Sequence, residues 1–378
     1  MLDVYPLFDL EPTKGSGSYV FDNDGNKYLD FYGGHAVISI GHAHPTYVRA
    51  IQQQASNIGF YSNSVLNSLQ LSVESKLNEI AGLDDGYDLF MINSGAEANE
   101  NALKLASFAN GRSRFIALEN GFHGRTAAAI QVTHKMKHRT HFGLDIEVTF
   151  IPINDIEALE SELNKGDVCA IIVEPIQGIG GVKVCTDEYL RSISELSRKY
   201  GTIFIADEIQ CGFGRSGKFY AHQYSEVIPD IITMAKGMGN GFPVGGVLIK
   251  KGLLSIEYGM AGTTFGGNHL ACAATSAVMD VIDEDSLLYN TILKGEYLRS
   301  HIDRMSGVVE VRGRGLMIGI AMEKAVKTLR KSLLFDHNVF TGSSSDPNVI
   351  RVLPPLNISQ AQCDEFITSF EKATNVHF

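Results

Sequence analysis

From Asp88 to Met234 the chain repeats one pattern, a short unbroken apolar run followed by a mixed polar stretch. The runs are Asp88 to Ile92, Arg114 to Leu118, Val168 to Val173, Ile203 to Ala206 and Ile231 to Met234. Each is too short for a helix and lacks the polar alternation of a half-exposed strand, so each reads as a strand buried on both faces. Helical periodicity fills several of the intervals, in the stretch after Gly95 and in Asp187 to Tyr200. That alternation predicts an α/β fold with a mostly parallel sheet flanked by helices. Upstream, Ser68 to Ala81 puts Leu69, Val73, Leu77 and Ile80 on one helical face, with Gly82 as a stop. Tyr19 to Phe31, YVFDNDGNKYLDF, sets two β-prone runs around Asp24-Gly25, a hairpin signal at the start of a small amino-terminal lobe. After Asn268 come a long helical region, short strands near Val308 to Glu310 and Leu316 to Ala321, and a helix beyond Ser359. These predict a second small domain.

Composition narrows the class. A chain of 378 residues suggests two or three domains, and 44% hydrophobic with 20% charged residues is ordinary globular composition. The formal net charge of −11, without a basic patch, opposes nucleic-acid binding. Five widely spaced cysteines contain no C-x-x-C pair, which favours a reducing compartment over a zinc site or disulfide scaffold. The start, MLDVYPLFDLEP, has no basic region before an apolar stretch, and no apolar run approaches about 18 residues. The expectation is a soluble, unprocessed cytoplasmic protein with no membrane or nucleic-acid partner.

In such sheets ligands gather at the carboxyl ends of the strands. The run DLFMINSGAEANENALKL reads as strand, tight turn and helix, and amides at Gly95 and Ala96 could cradle a phosphate. Equally, Ser94 could simply cap the helix with Glu97 as its partner. In GFHGR, Phe122 could stack on a flat ligand and Arg125 could grip a carboxylate, although a surface arginine beside a turn is common. In TIFIADEIQCGFGRSG an apolar run ends on Asp207. A carboxylate buried there needs a cation, such as a protonated pyridine nitrogen, while Ile209 two residues on could press on the ring. Lys236, in IITMAKGMGNGFPVGG, follows a later run and could be a desolvated nucleophilic amine or a plain solvated strand end. Together these features describe a pyridoxal-phosphate site.

The ordered set LDFYGGHAVISIGHAHP, SGAEANENALKLA, GFHGRT, VEPIQG, IADEIQCGFGRSGKF, MAKGMGNGFPVGG, GTTFGGN and IRVLPPL resembles the class III aminotransferases of fold type I over nearly the whole chain. The resemblance implies a large cofactor domain at 51–267, with 1–50 and 268–378 forming a small α+β domain from both termini. It implies that Lys236 holds pyridoxal phosphate as a Schiff base and then shuttles the substrate proton, and that Asp207 keeps the pyridinium charged. It further implies that Phe122 and Ile209 sandwich the ring, that Gln210 meets its phenolic oxygen, and that Gly95 and Ala96 bind the phosphate. Thr264 would reach the phosphate of a neighbouring subunit, with Thr263 near the substrate, making a homodimer with shared sites. Arg125 and Arg351 would bind substrate carboxylates. The implied reaction moves the δ-amine of N2-acetyl-L-ornithine to 2-oxoglutarate, a step of arginine biosynthesis. N-succinylornithine, free ornithine and 4-aminobutyrate are the alternative donors. One departure stands out: Ile179 occupies a position where many relatives carry a Glu able to pair with the arginine at 351.

Two other motifs carry less. Gly212 to Gly217, GFGRSG, fits G-x-G-x-x-G, but DEIQC separates it from the strand and no convincing helix follows, which argues against a dinucleotide-binding oxidoreductase. His134, His138 and His141 have helical metal-ligand spacing in a basic segment without a nearby carboxylate, so an exposed face is expected there and no metal. His42 and His44 read as structural or interface residues.

Overall fold

A computed structural model describes residues 2–84, 86–135 and 146–378. Its centre is a seven-stranded sheet in the spatial order Tyr87–Ile92, Gly245–Lys250, Ile231–Met234, Ile203–Asp207, Val168–Val173, Arg114–Leu118, Val148–Ile151. Gly245–Lys250 runs antiparallel to both neighbours and every other pairing is parallel. All five expected strands are present. Val148–Ile151 and Gly245–Lys250 were not expected, the latter because GGVLIK opens on two glycines where β-branched residues would have signalled a strand.

The two faces of the sheet sort by residue parity. Ala170, Ile172, Ile205 and Val247 pack with Ala98, Ala102, Leu105 and Ala106 of the Gly95–Asn110 helix. Ile171, Val173, Phe204 and Ala206 pack on the other face with Tyr189, Leu190 and Ile193 of Asp187–Tyr200. Strands covered on both sides need unbroken apolar sequence, and each such side chain contributes about 1.5–3 kcal/mol on burial. The Asp187–Tyr200 helix matches its expected bounds because its ends are written locally. Thr186 accepts the Tyr189 amide, Asp187 and Glu188 fill the first turn, Arg198 and Lys199 the last, and Gly201 closes it at φ 63°.

The chain ends share a sheet: Pro12–Ser16, Tyr19–Asp22 and Lys27–Asp30 continue into Val339–Phe340. The hairpin forms around Asp24-Gly25, where Asp22 Oδ1 accepts the amides of Asp24 and Asn26 and Gly25 takes φ 82°. A third sheet holds Val308–Arg314, Met317–Met322, Val349–Val352 and Gly342–Ser343. The helical region after Asn268 is two helices, His269–Glu284 and Leu287–Ile302, broken where Ser286 enters the left-handed region. Gln360–His377 closes the chain behind a Ser359 capping box. No helix among the described residues is long and apolar enough to cross a membrane. His134 accepts the Asn120 amide at 2.9 Å, whereas His138 and His141 lie outside the described residues.

Candidate active site

Asp207 ends its strand directly opposite Thr233 of the neighbouring strand, and Lys236 follows three residues later. Two adjacent parallel strands therefore deliver a carboxylate and an amine to the same sheet edge. Both line a cavity of about 380 Å³, together with Gly95, Ala96, Phe122, Arg125, Ile209 and Gln210.

Asp207 is buried and held by side chains. Its Oδ2 accepts from Asn99 Nδ2 at 2.8 Å and from His123 Nδ1 at 2.7 Å. Asn99 is fixed in turn, since its Oδ1 accepts the Thr233 hydroxyl at 2.8 Å and its Nδ2 also donates to the His123 carbonyl at 2.7 Å. Among the described residues Oδ1 of Asp207 takes the Ile209 amide alone, at 3.1 Å, and retains acceptor capacity toward the cavity. Burial pushes the Lys236 amine below the ordinary lysine value and Arg351 adds to this, while Asp207 and Glu174 oppose it. Glu174 directly follows the strand Val168–Val173, as Asp207 closes its own. Its carboxylate accepts the amides of Phe122 and Gly178, and burial raises its pKa.

At the far wall, Ser94 does cap the Gly95–Asn110 helix, its Oγ accepting the Glu97 amide at 3.2 Å, while Glu97 reaches back to the Asn93 amide at 2.9 Å. The first helical bond is Ala98 N to Ser94 O, so the cap leaves the Gly95 and Ala96 amides at a positive helix end facing the cavity. The cap and the cradle coexist. A Cβ at Gly95 would sit 2.9 Å from Ile209 Cγ2, so only glycine lets the helix start pass that side chain. These groups fit pyridoxal phosphate: an acceptor for a ring cation, an amine, an aromatic and an aliphatic wall, and an anion-binding helix end.

Arg351 lies behind this chamber. It is 1% exposed; Nε donates to the Ser343 carbonyl at 2.5 Å and Nη1 to Gln210 Oε1 at 2.9 Å. Burial lowers it to about 10. Gln210 also donates to the His35 carbonyl at 3.0 Å. Arg125 is exposed at the rim, its guanidinium 5.3 Å from the Phe122 ring centroid. Thr263 joins the rim through Asn93 Nδ2 at 3.4 Å, but Thr264 is exposed and lies outside the cavity of its own chain. Ile179 lines the cavity and cannot pair with Arg351.

Five residues escaped the sequence reading. Asn99 had a signal, a polar residue on the buried helix face between Ala98 and Ala102, and Glu174 repeats the strand-end logic of Asp207. His123 stood unassigned inside GFHGR. Arg330, whose Nη2 donates to the Thr341 carbonyl at 2.8 Å, and His35 had none, because tertiary folding alone brings them here. His35 sits in a left-handed run: Gly33, Gly34, His35 and Ala36 take φ of 56°, 53°, 69° and 63°. For the two non-glycine residues this costs roughly 1–2 kcal/mol each. GFGRSG is a turn region followed by a short 3-10 segment, Ala221–Ser225, with Arg215 turned inward to the Leu316 and Pro354 carbonyls.

An α/β fold with an amine and a buried carboxylate at neighbouring strand ends, facing an anion-binding helix start, defines a pyridoxal-phosphate enzyme of fold type I. The Aminotransferase class-III family model matches residues 3–374, and the chain belongs to that pyridoxal-phosphate-dependent aminotransferase family. It is 38% identical over 382 residues to the acetylornithine aminotransferase of Caldanaerobacter subterraneus subsp. tengcongensis, covering 97% of this chain and 94% of that one. The acetylornithine aminotransferase of Methanosarcina mazei is 39% identical over 99% of this chain and 94% of its own length. Among solved structures, the ornithine aminotransferase of Toxoplasma gondii superposes with a TM-score of 0.92 at 29% identity, covering 100% of this chain and 92% of that chain. The acetylornithine aminotransferase of Elizabethkingia anophelis gives 0.87 at 32%, over 100% and 96%.

Proposed function

We propose that the enzyme transfers the δ-amine of N2-acetyl-L-ornithine to 2-oxoglutarate, giving N-acetyl-L-glutamate 5-semialdehyde and L-glutamate, as a step of arginine biosynthesis. The observation that carries the reading is full-length likeness to acetylornithine aminotransferases, joined to a cavity whose amine and carboxylate lie near arginines suited to acidic substrates. When bound, pyridoxal phosphate supplies an electron sink for the carbon that loses its proton.

The chain's own residues then divide the work. Asp207, held by Asn99 and His123, would be the acceptor for a ring N–H⁺. Lys236 Nζ, whose charged form burial disfavours, can attack a carbonyl and afterwards carry a proton. Gly95 and Ala96 amides would hold the cofactor's phosphate, Phe122 and Ile209 would flank its ring, and Gln210 would hydrogen-bond its phenolic oxygen. Arg125 and Arg351 grip the substrate carboxylates bidentately, two of them because 2-oxoglutarate carries two.

The proposal includes a homodimer. Thr264 is exposed next to exposed Phe265, whose ring centroid lies 5.3 Å from that of exposed Phe60, and Tyr61, Leu66 and Tyr258 in the flanking segments are exposed as well, Leu66 at 99%. Large apolar side chains exposed together favour a covering partner, and a partner seated there would receive Thr264 at its own phosphate site. We assign 51–267 to the large domain and 1–50 with 268–378 to the small one, supported by the sheet the termini share. Cytoplasmic residence belongs to the same reading, supported by five individually buried free cysteines.

The test is a visible spectrum of the purified, cofactor-loaded protein. N2-acetyl-L-ornithine alone should bleach the cofactor band and 2-oxoglutarate should restore it. A band indifferent to that donor but bleached by N2-succinylornithine, ornithine or 4-aminobutyrate would transfer the assignment to that amine.

A further inference from the structure

GFGRSG, Gly212 to Gly217, takes no part in the chemistry described so far, yet it carries a deeply buried cation. Arg215 is 2% exposed. Its Nη1 donates to the Leu316 carbonyl at 3.3 Å and to the Pro354 carbonyl, and its Nη2 to the Ile38 carbonyl at 3.4 Å. The Leu316 amide returns a bond to the Arg215 carbonyl at 3.1 Å. Among the described residues no carboxylate lies within ion-pair distance of this guanidinium. Burial pushes it down to about 9, with Asp30 opposing, so it stays charged at neutral pH. A cation buried without a counter-ion is costly, and here three backbone carbonyls offset that cost. A planar fork can serve several such acceptors in fixed directions at once.

The carbonyls it holds belong to the strands that carry Arg351. Leu316 immediately precedes Met317–Met322, and Pro354 lies two residues past Val349–Val352. The two strands pair antiparallel, Ile318 opposite Val352 and Gly319 opposite Arg351, so Arg215 grips both at the same end, close to Arg351. The turn before Leu316 sits directly on the arginine's own backbone: at Gly315, φ 54°, a Cβ would lie 2.5 Å from the Ser216 carbonyl carbon. Five residues before Arg215, Gln210 Oε1 accepts from Arg351 Nη1 at 2.9 Å. The segment 207–217 therefore begins with the cofactor-side carboxylate, meets the head of Arg351 at Gln210, and ends by clamping the strand pair from which Arg351 projects.

We propose that Arg215 is a positioning residue for substrate recognition, which fixes the Arg351 strand against the segment 207–217 and so sets where the Arg351 guanidinium meets a substrate carboxylate. This rests on the assignment of Arg351 to carboxylate binding. The test uses cofactor-loaded wild type, Arg215→Met, which keeps the stem and drops every donor, Arg215→Lys, Arg351→Gln, and the double variant Arg215→Met with Arg351→Gln. Binding of glutarate, a dicarboxylate with no amine or keto group to react, is measured by calorimetry. KM and kcat are taken from the single half-reaction with L-glutamate.

Arg215→Met should weaken glutarate and raise KM for L-glutamate by about tenfold, with kcat and cofactor content near wild type, because a binding group displaced by about 1 Å loses much of its contact. Arg215→Lys should recover little, since one ammonium cannot replace the fork. In the Arg351→Gln background the same Arg215→Met change should alter glutarate affinity by less than about twofold, because a residue that acts through Arg351 has nothing left to act on. The full loss in that background, or a parallel fall in kcat and cofactor content, would make Arg215 a general support of the fold and overturn the proposal. Unchanged glutarate affinity in Arg215→Met would overturn it as well. Should Arg215→Met fail to fold, Arg215→Lys carries the same cycle under the same criteria. An Arg351→Gln protein that binds glutarate as wild type does would sink the carboxylate assignment of Arg351, and this inference with it.

Discussion

At the Asp207 end of the cavity every side-chain partner comes from the central sheet and the elements seated on it: Asn99 from the helix after the first sheet strand, Thr233 from the next strand over, His123 from the loop after Arg114–Leu118. At the Arg351 end the partners come from segments far apart in the chain: Tyr32 and His35 near the start, Gln210 beyond a sheet strand, Ser343 and Arg330 near the end. The first end is fixed as soon as the sheet registers, because strand order alone sets Asp207 beside the chain that delivers Lys236. The second depends on how the terminal sheets dock against the central one. Cofactor chemistry is therefore built on one rigid frame, while substrate recognition sits on several that can be altered independently.

If that division is right, substitutions at the first end should act on kcat and cofactor retention, and those at the second on KM. The largest effect belongs to Lys236→Ala, which should cut turnover by about 10³-fold or more while circular dichroism and Tm show a folded protein. Measurable wild-type turnover would end the mechanism. Asp207→Ala should lower kcat by roughly 100-fold and speed cofactor loss on dialysis, and leaving the buried His123 ring without its acceptor should cost about 1–3 kcal/mol in unfolding experiments. An unaffected rate would strip Asp207 of its role.

Arg351→Gln should raise KM for glutamate and 2-oxoglutarate by about 10–100-fold, the loss of a charge-assisted pair, with cofactor absorbance largely kept. If kcat and cofactor content fell instead, the two ends would be one unit and the comparison would fail. Ile179→Glu should act least. A carboxylate in the cavity wall should weaken 2-oxoglutarate a few-fold by like-charge repulsion, read as a KM change. An unchanged KM would mean that Ile179 faces away from the bound acid.

The sequence wrote the sheet frame openly, because strands covered on both faces must be continuously apolar and helices announce their ends with Thr186, Gly201 or Ser359. It wrote Asp207 and Lys236 as well, since a charge ending an apolar run is visible without any partner in view. Gly245–Lys250 stayed hidden because Gly245 is explained only by the close approach of Ser94 and Met234 backbone, and Gly246 by the Leu89 and Met234 side chains packed on it. Asn99 and Glu174 were readable in principle from their positions on buried faces. What only the tertiary structure decided was the substrate end. Nothing local in Tyr32, His35 or Arg330 records that each will stand near Arg351, because contacts between segments distant in the chain or on separate elements are set by the docking of whole sheets and leave no periodic trace along the chain.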